Sequence, residues 1–164
     1  MKSGRCIVSL DKKSLMKQLF LIIAGLMISF VVSGQILTPV TWSYAAKKTS
    51  PTEAILYLKA EVDPGWHIYA QNIPKGEAIS TSFRFSSSPN YKINGGTSQP
   101  KPITKFEKSL DLNVSYYEKS VVFTQKIILN KKVPTVVKGE VDFMVCDAIR
   151  CLPSETITFS IPVK

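Results

Sequence analysis

A succession of short, strand-like segments separated by turn residues most constrains what this chain can fold into. The strand-like segments are residues 40–46, 53–62, 66–70, 81–85, 91–93, 121–129, 137–146 and 156–161. Between them lie clusters such as Asp63-Pro64-Gly65 and Asn94-Gly95-Gly96, whose residues supply the backbone angles that turns require. No segment has a convincing helical period. Many short strands with turn signals at this spacing predict an all-β fold, a sandwich or a barrel.

One connection in this pattern is long. Residues 97–120 contain two prolines and the stretch LDLNVSYYEK, and they lack a clear strand pattern. A long loop with its own aromatic residues inside a compact domain is more often functional than idle. We therefore expect an extended functional loop here.

The first 34 residues have the three parts of a secretory signal peptide. A basic stretch reaches Lys17, the apolar run LFLIIAGLMISFVV follows, and small residues Ser33 and Gly34 end it. The apolar run is shorter than the roughly 20 residues that a membrane-spanning helix needs. Translation from Met1 or Met16 and cleavage after Gly34 would yield an exported chain. An uncleaved signal anchor is the alternative.

The charge of the remaining chain, residues 35–164, argues against nucleic-acid binding. These residues carry 16 basic and 11 acidic side chains, a net charge of +5, and no basic run is longer than a pair. Nucleic-acid binders usually concentrate basic residues on one face. The length is that of one domain, which can bury a core without disulfides. We therefore expect a single domain over residues 35–164.

Cys146 and Cys151 are the only cysteines of that domain and flank the sequence DAIR in a predicted hairpin. Alternation along residues 137–146 places Cys146 on the solvent-facing side of its strand. A disulfide across so short a loop removes little chain entropy, about 2 kcal/mol against nearly 5 for a loop of roughly 100 residues. A short, exposed disulfide is open to attack by another thiolate. This favours thiol–disulfide exchange, and a structural pin in a secreted binding or adhesion module stays open.

Few other residues suggest chemistry. Zinc needs three or four protein ligands, and the chain has one histidine, His67, so neither a metal site nor a cofactor is expected. No nucleophile or orienting group can be identified for His67, which predicts a structural role. Glu155 either tunes the cysteine pair or is a solvated turn residue.

The cysteine segment CDAIRCLPSET resembles the active-site hairpin of the N-terminal periplasmic domain of DsbD, the transmembrane thiol–disulfide reductant transporter. That family's pattern is a cysteine, a short acidic and small-residue stretch, a second cysteine, an aromatic or aliphatic residue, Pro and then Glu-Thr. PGWHIYAQNIP is similar to the family's early strand, with His67 at its second aromatic position, and LNVSYYEKSVVF is similar to its cap-loop segment. Standalone versions are described as disulfide bond corrector domains.

The resemblance implies an immunoglobulin-like antiparallel β-sandwich with a redox pair at one end of a sheet. Cys151 would react with the partner protein and Cys146 would resolve the mixed disulfide, while Tyr116 or Tyr117 would cover the pair. Any enzymatic activity would be that of a protein thiol–disulfide oxidoreductase without a small-molecule substrate.

The implied partners are thioredoxin-like periplasmic proteins, including those of cytochrome c maturation, and a DsbD-type membrane reductant transporter. The protein would be a periplasmic monomer, or membrane-anchored if the signal is uncleaved.

Overall fold

The computed structural model describes residues 12–13, 16–17, 20, 37–73, 80–107, 111–130 and 134–164. The chain divides into two compact units, Met1–Leu37 and Thr38–Lys164. The described residues between positions 12 and 20 are helical, and the rest of the predicted signal peptide lies outside the described residues. Within the described part of the chain, no helix has the length and apolar character needed to span a membrane.

The unit Thr38–Lys164 is built from antiparallel strands. They are β1 (Val40–Ser50), β2 (Glu53–Val62), β3 (His67–Tyr69), β4 (Ser82–Phe85), β5 (Tyr91–Ser98), β6 (Ile103–Glu107), β7 (Leu112–Glu118), β8 (Ser120–Leu129), β9 (Thr135–Phe143), β10 (Val145–Cys146) and β11 (Glu155–Val163). Their order is β1-β2-β8-β5 in one sheet, β10-β3-β7-β6 in a second and β11-β9-β4 in a third. Every predicted strand is present, but β1 and β5 continue four and five residues beyond their predicted ends, and the predicted strand 137–146 is divided between β9 and β10 in different sheets.

The core forms where alternate residues of these sheets face one another. Leu56 and Leu58 of β2, with Phe123 of β8, share one hydrophobic cluster with Val141 of β9 and Phe159 of β11. Each of these side chains is at most 4% exposed, as strands with a single buried face require. The packing of opposed antiparallel sheets is that of a β-sandwich.

The expectation of one extended loop over residues 97–120 is wrong. This segment contains β6 and β7, which pair in register from Ile103↔Tyr116 to Glu107↔Leu112. The apolar pattern of β7 is weak because Val114 and Tyr117 are buried against different clusters, on opposite faces of the sheet. The segment nevertheless contributes to the site described below.

The predicted solvent-facing position of Cys146 is also wrong. The alternation holds to Phe143, where β9 ends, but both Val145 and Cys146 are buried. After Met144 the chain leaves the third sheet and pairs with β3 of the second, Val145 opposite Ile68 and Cys146 opposite His67. Val145 therefore faces the main core, while Cys146 joins a smaller cluster on the other face of the second sheet.

A glycine in β9 allows two strands to pack closely. A Cβ atom at Gly139 would collide with the carbonyl oxygen of Arg84 and, at 2.5 Å, with the ring of Phe159. We expect Gly139→Ala to lower the free energy of unfolding by about 1–3 kcal/mol, the usual cost of overpacking. Gly96→Ala is the matched control because open space surrounds that position. Urea unfolding measures both variants, and equal stabilities would contradict this close packing.

Candidate functional site

The two predicted cysteines form a disulfide at the start of the last hairpin. Cys146 and Cys151 are 4.0 Å apart at their Cα atoms and form an antiparallel bridge. Backbone hydrogen bonds close the hairpin on both sides: Leu152 N–H donates to the Val145 carbonyl, and Asp147 N–H donates to the Arg150 carbonyl. The disulfide therefore closes a local loop, as the sequence predicts.

Asp147 shapes the turn between the cysteines. Its carboxylate accepts hydrogen bonds from the backbone N–H groups of Ile149 and Arg150, both at 2.7 Å. These bonds lower the pKa of the Asp147 carboxyl below its ordinary value, so the turn is fixed by a charged group at neutral pH. The Arg150 guanidinium lies 6.0 Å from the centre of the Trp66 ring, and Ile149 at the tip is 93% exposed. The hairpin thus presents an apolar side chain to solvent beside the disulfide.

The two sulfur-bearing residues differ sharply in access. Cys146 is 2% exposed and lies in a cluster with Tyr69, Ile73 and Val114. Cys151 is exposed on the returning limb of the hairpin. An incoming thiolate must approach the sulfur it attacks, so the accessible end of this disulfide is Cys151.

Tyr69 is a site residue that the sequence analysis did not identify. Its hydroxyl oxygen lies 3.5 Å from the Sγ atom of Cys146. A disulfide sulfur carries no hydrogen, so the hydroxyl is the donor in this contact. Burial, and secondarily the charge of Glu107, raises the pKa of Tyr69, which keeps the donor protonated. The available signal was the strand GWHIY, where alternation puts Tyr69 on the same face as His67.

His67 is on this face and not in the main core. It is directly opposite Cys146 on β10 and directly opposite Glu118 on β7. Its ring centre lies 5.4 Å from that of Tyr69 and 4.8 Å from that of Tyr116. Desolvation lowers the pKa of His67, while the charges of Glu118 and Asp147 oppose the shift. The sequence predicted a purely structural role for His67 because it does not show which residues lie opposite the histidine across the sheet.

The structure separates the two tyrosines proposed as caps. Tyr116 packs on the cluster that contains Cys146. Tyr117 is 6% exposed in the main core, and its hydroxyl donates to the Pro100 carbonyl at 2.5 Å. Burial raises the pKa of Tyr117 to about 12. We keep only Tyr116 as the candidate cap.

The two remaining possibilities considered from the sequence, a role for Glu155 and a metal site, add little to the geometry around the disulfide. Glu155 is exposed at the first position of β11, opposite Phe143. Among the residues that the structure describes, no group of three or more His, Cys, Asp or Glu side chains is arranged to hold a metal ion.

Comparison with solved structures places the sandwich among known domains. The DsbD N-terminal domain of Neisseria meningitidis in the reduced form matches with a TM-score of 0.52 at 14% identity, covering 79% of this chain and 91% of that one. The complex between the DsbD N-terminal and PilB N-terminal domains of the same organism gives 0.50 at 13%, covering 77% and 88%. The N-terminal periplasmic domain of ScsB from Proteus mirabilis gives 0.52 at 18%, covering 80% of this chain and 50% of that one.

At these identities the structural matches establish the fold, and the predicted immunoglobulin-like β-sandwich is confirmed. No curated protein sequence matches the chain. The family model for the N-terminal domain of the thiol:disulfide interchange protein DsbD matches residues 35–162, which include both cysteines and nearly the whole sandwich. The resemblance seen in the sequence is confirmed, and the chain belongs to the DsbD N-terminal domain family.

Proposed function

We propose that this protein is a periplasmic thiol–disulfide relay in which Cys146 and Cys151 are the redox centre. The observation that carries the proposal is the unequal exposure of Cys146 and Cys151, which form a local disulfide. Cys151 is exposed to a partner protein, whereas Cys146 is 2% exposed and held beside the Tyr69 hydroxyl. Membership of a thiol–disulfide interchange family supports the same chemistry.

The exchange has two steps, each a substitution at sulfur. A thiolate of a reduced partner attacks Cys151 Sγ, the Cys146–Cys151 bond breaks, and its electron pair leaves on Cys146. The partner's second thiolate then attacks the partner's first sulfur, which is bonded to Cys151 Sγ in the mixed disulfide, and Cys151 leaves as a thiolate. The partner becomes a disulfide and the pair gains two electrons. Delivery to an oxidised acceptor runs these steps in reverse, with Cys146 as the resolving thiol.

The proposed partners are proteins. The upstream donor is a DsbD-type membrane reductant transporter, and the acceptors are thioredoxin-like proteins such as those of cytochrome c maturation. A related DsbD N-terminal domain forms a complex with a PilB N-terminal domain, which supports docking of another protein domain on this fold. The exposed Ile149 beside Cys151 is an apolar contact that such a partner can bury. The ScsB relative is periplasmic, which supports export of this chain by the predicted signal peptide.

Tyr116 is the proposed cap. The proposal is supported by its packing against the small cluster that contains Cys146 and by its contact with the His67 ring. Glu155 has no assigned part in this proposal.

A redox titration tests the function directly. The protein is equilibrated in glutathione or dithiothreitol buffers, and thiols are counted by alkylation and mass while circular dichroism follows folding. We expect reversible cycling in the folded state with a midpoint between about −180 and −270 mV, the range of known exchange proteins. A midpoint below about −300 mV, or reduction only on unfolding, would identify a structural disulfide and favour the binding-module alternative.

A further inference from the structure

The burial of Cys146 creates a chemical difficulty for the exchange. The thiolate is the reactive form of cysteine, and burial among apolar groups raises the pKa of a thiol. Cys146 is 2% exposed among Ile73, Val114 and Tyr69. It must nevertheless become a thiolate in both directions, as leaving group or as resolving nucleophile. A neighbouring group that moves its proton would remove this difficulty.

His67 is placed to be that group. Directly opposite residues of an antiparallel pair have Cβ atoms about 4.5–5.5 Å apart and project from the same face, and His67 has this relation to Cys146. On its other side His67 is directly opposite Glu118, whose carboxylate favours the protonated ring. Cross-strand pairing thus places the imidazole between a nucleophile and a carboxylate, the same order as in a nucleophile–base–orienter set.

The surroundings of the ring contain both signs of charge. The groups facing His67 are Glu118 from β7, Lys105 and Glu107 from β6, and Asp147 from the hairpin, together with the rings of Tyr69 and Tyr116. Desolvation is the largest influence on His67 and lowers its pKa, so the ring is mainly neutral at pH 7 and available as a base. A cleft of about 470 Å³ borders His67, Glu118 and Lys119, through which water can return or remove the proton.

We propose that His67 is the proton acceptor and donor for Cys146 in thiol–disulfide exchange. The proposal rests on the exchange function proposed above and assigns the proton in it. When the reduced pair meets an oxidised acceptor, Cys151 attacks first and forms a mixed disulfide. Cys146 then gives its thiol proton to His67 and attacks Cys151 Sγ, the acceptor sulfur leaves with the electron pair, and the Cys146–Cys151 bond re-forms. In the reverse direction the imidazolium returns the proton to Cys146 as the disulfide opens.

The two steps separate with 5,5′-dithiobis(2-nitrobenzoate) as the acceptor. Reduced protein releases one thionitrobenzoate when Cys151 attacks and a second when Cys146 resolves the mixed disulfide. In His67→Phe we expect the second release to slow by about tenfold to a hundredfold at pH 7, a loss in the lower range of general acid–base effects. The first release keeps its rate and serves as the internal control.

The pH profile distinguishes proton transfer from a structural role. In the wild type the rate of the second thionitrobenzoate release rises with pH and has an inflection below pH 6.5, where His67 loses its proton. In His67→Phe that inflection disappears and the rate follows the thiol alone, at or above about pH 8.5. His67→Gln, which keeps polar contacts without a titrating base, gives the same profile and replaces His67→Phe if that variant does not fold.

Three outcomes decide the matter. If both variants release the second thionitrobenzoate at the wild-type rate and with the wild-type inflection, the role of His67 is overturned. The proposed relay function is then unaffected. If the second release is slower but keeps the wild-type inflection, the role of His67 in proton transfer is also overturned, because displacement of the Cys146 thiol would then explain the lower rate. Failure of the folded wild type to give any second release overturns the proposed function and the role of His67 together.

Discussion

Replacing Cys146 by serine should convert transient partner complexes into stable mixed disulfides, whereas replacing Cys151 should abolish them. The reason is the exposure of the two residues: Cys151 is exposed, and Cys146 is 2% exposed. In Cys146→Ser the reactive thiol remains accessible, and an adduct with a partner that itself keeps a single active-site cysteine has no thiol left to resolve it. In Cys151→Ser the remaining thiol is covered by Tyr69 and Val114.

The measurement uses a thioredoxin variant with one active-site cysteine, activated as its mixed disulfide with thionitrobenzoate, so that attack by Cys151 releases thionitrobenzoate and joins the two proteins. Adducts are separated on non-reducing gels and quantified by mass. Cys146→Ser should accumulate the adduct, Cys151→Ser should stay at the background of the double variant, and the wild type should show only a transient band. Trapping through Cys146 instead would reverse the assigned order of attack and contradict the proposed mechanism.

The structural features that depend on local sequence pattern were predicted correctly. The hairpin around Asp147 follows from adjacent residues, and its backbone hydrogen bonds join residues no more than seven positions apart, so spacing alone indicated a local disulfide. The strands of the sandwich follow from alternation and turn residues, as in β8, where Val121, Phe123 and Ile127 are all buried. These features need no knowledge of how distant segments pair.

The sequence failed where a distant pairing decides the outcome. Tyr69 and Cys146 are 77 residues apart, and they meet because β10 adds to β3 at the point where the chain changes sheets. Alternation correctly put Cys146 on the face opposite Val145, but nothing in residues 137–146 shows that this face is covered by Tyr69 and Val114 once the chain changes sheets after Met144. The same pairing brings His67 to the site. An isolated histidine in an apolar strand gives no sign of a cysteine across the sheet.

Adjacent tyrosines on β7 provide the second large expected effect. Tyr117 packs in the main core against Phe123, with ring centres 6.0 Å apart, so Tyr117→Ala should lower the free energy of unfolding by about 3–5 kcal/mol, as for other buried aromatic side chains. Tyr116 is half-buried on the opposite face, so Tyr116→Ala should cost much less. Urea unfolding of the two variants measures this difference, and equal losses would contradict the assigned faces.

The same pair separates a cap from a core residue in function. If Tyr116 shields Cys146, its removal in the Cys151→Ser background, where the exposed thiol is absent, should speed oxidation by hydrogen peroxide, because the oxidant gains access to Cys146. Tyr117→Phe is the matched control: it removes only the hydroxyl bound to Pro100 and should leave the oxidation rate unchanged. Stopped-flow oxidation of both variants at matched folded fractions gives the comparison. An unchanged rate in Tyr116→Ala would remove the cap from the mechanism while leaving the order of attack intact, since that order depends on the exposure of the cysteines alone.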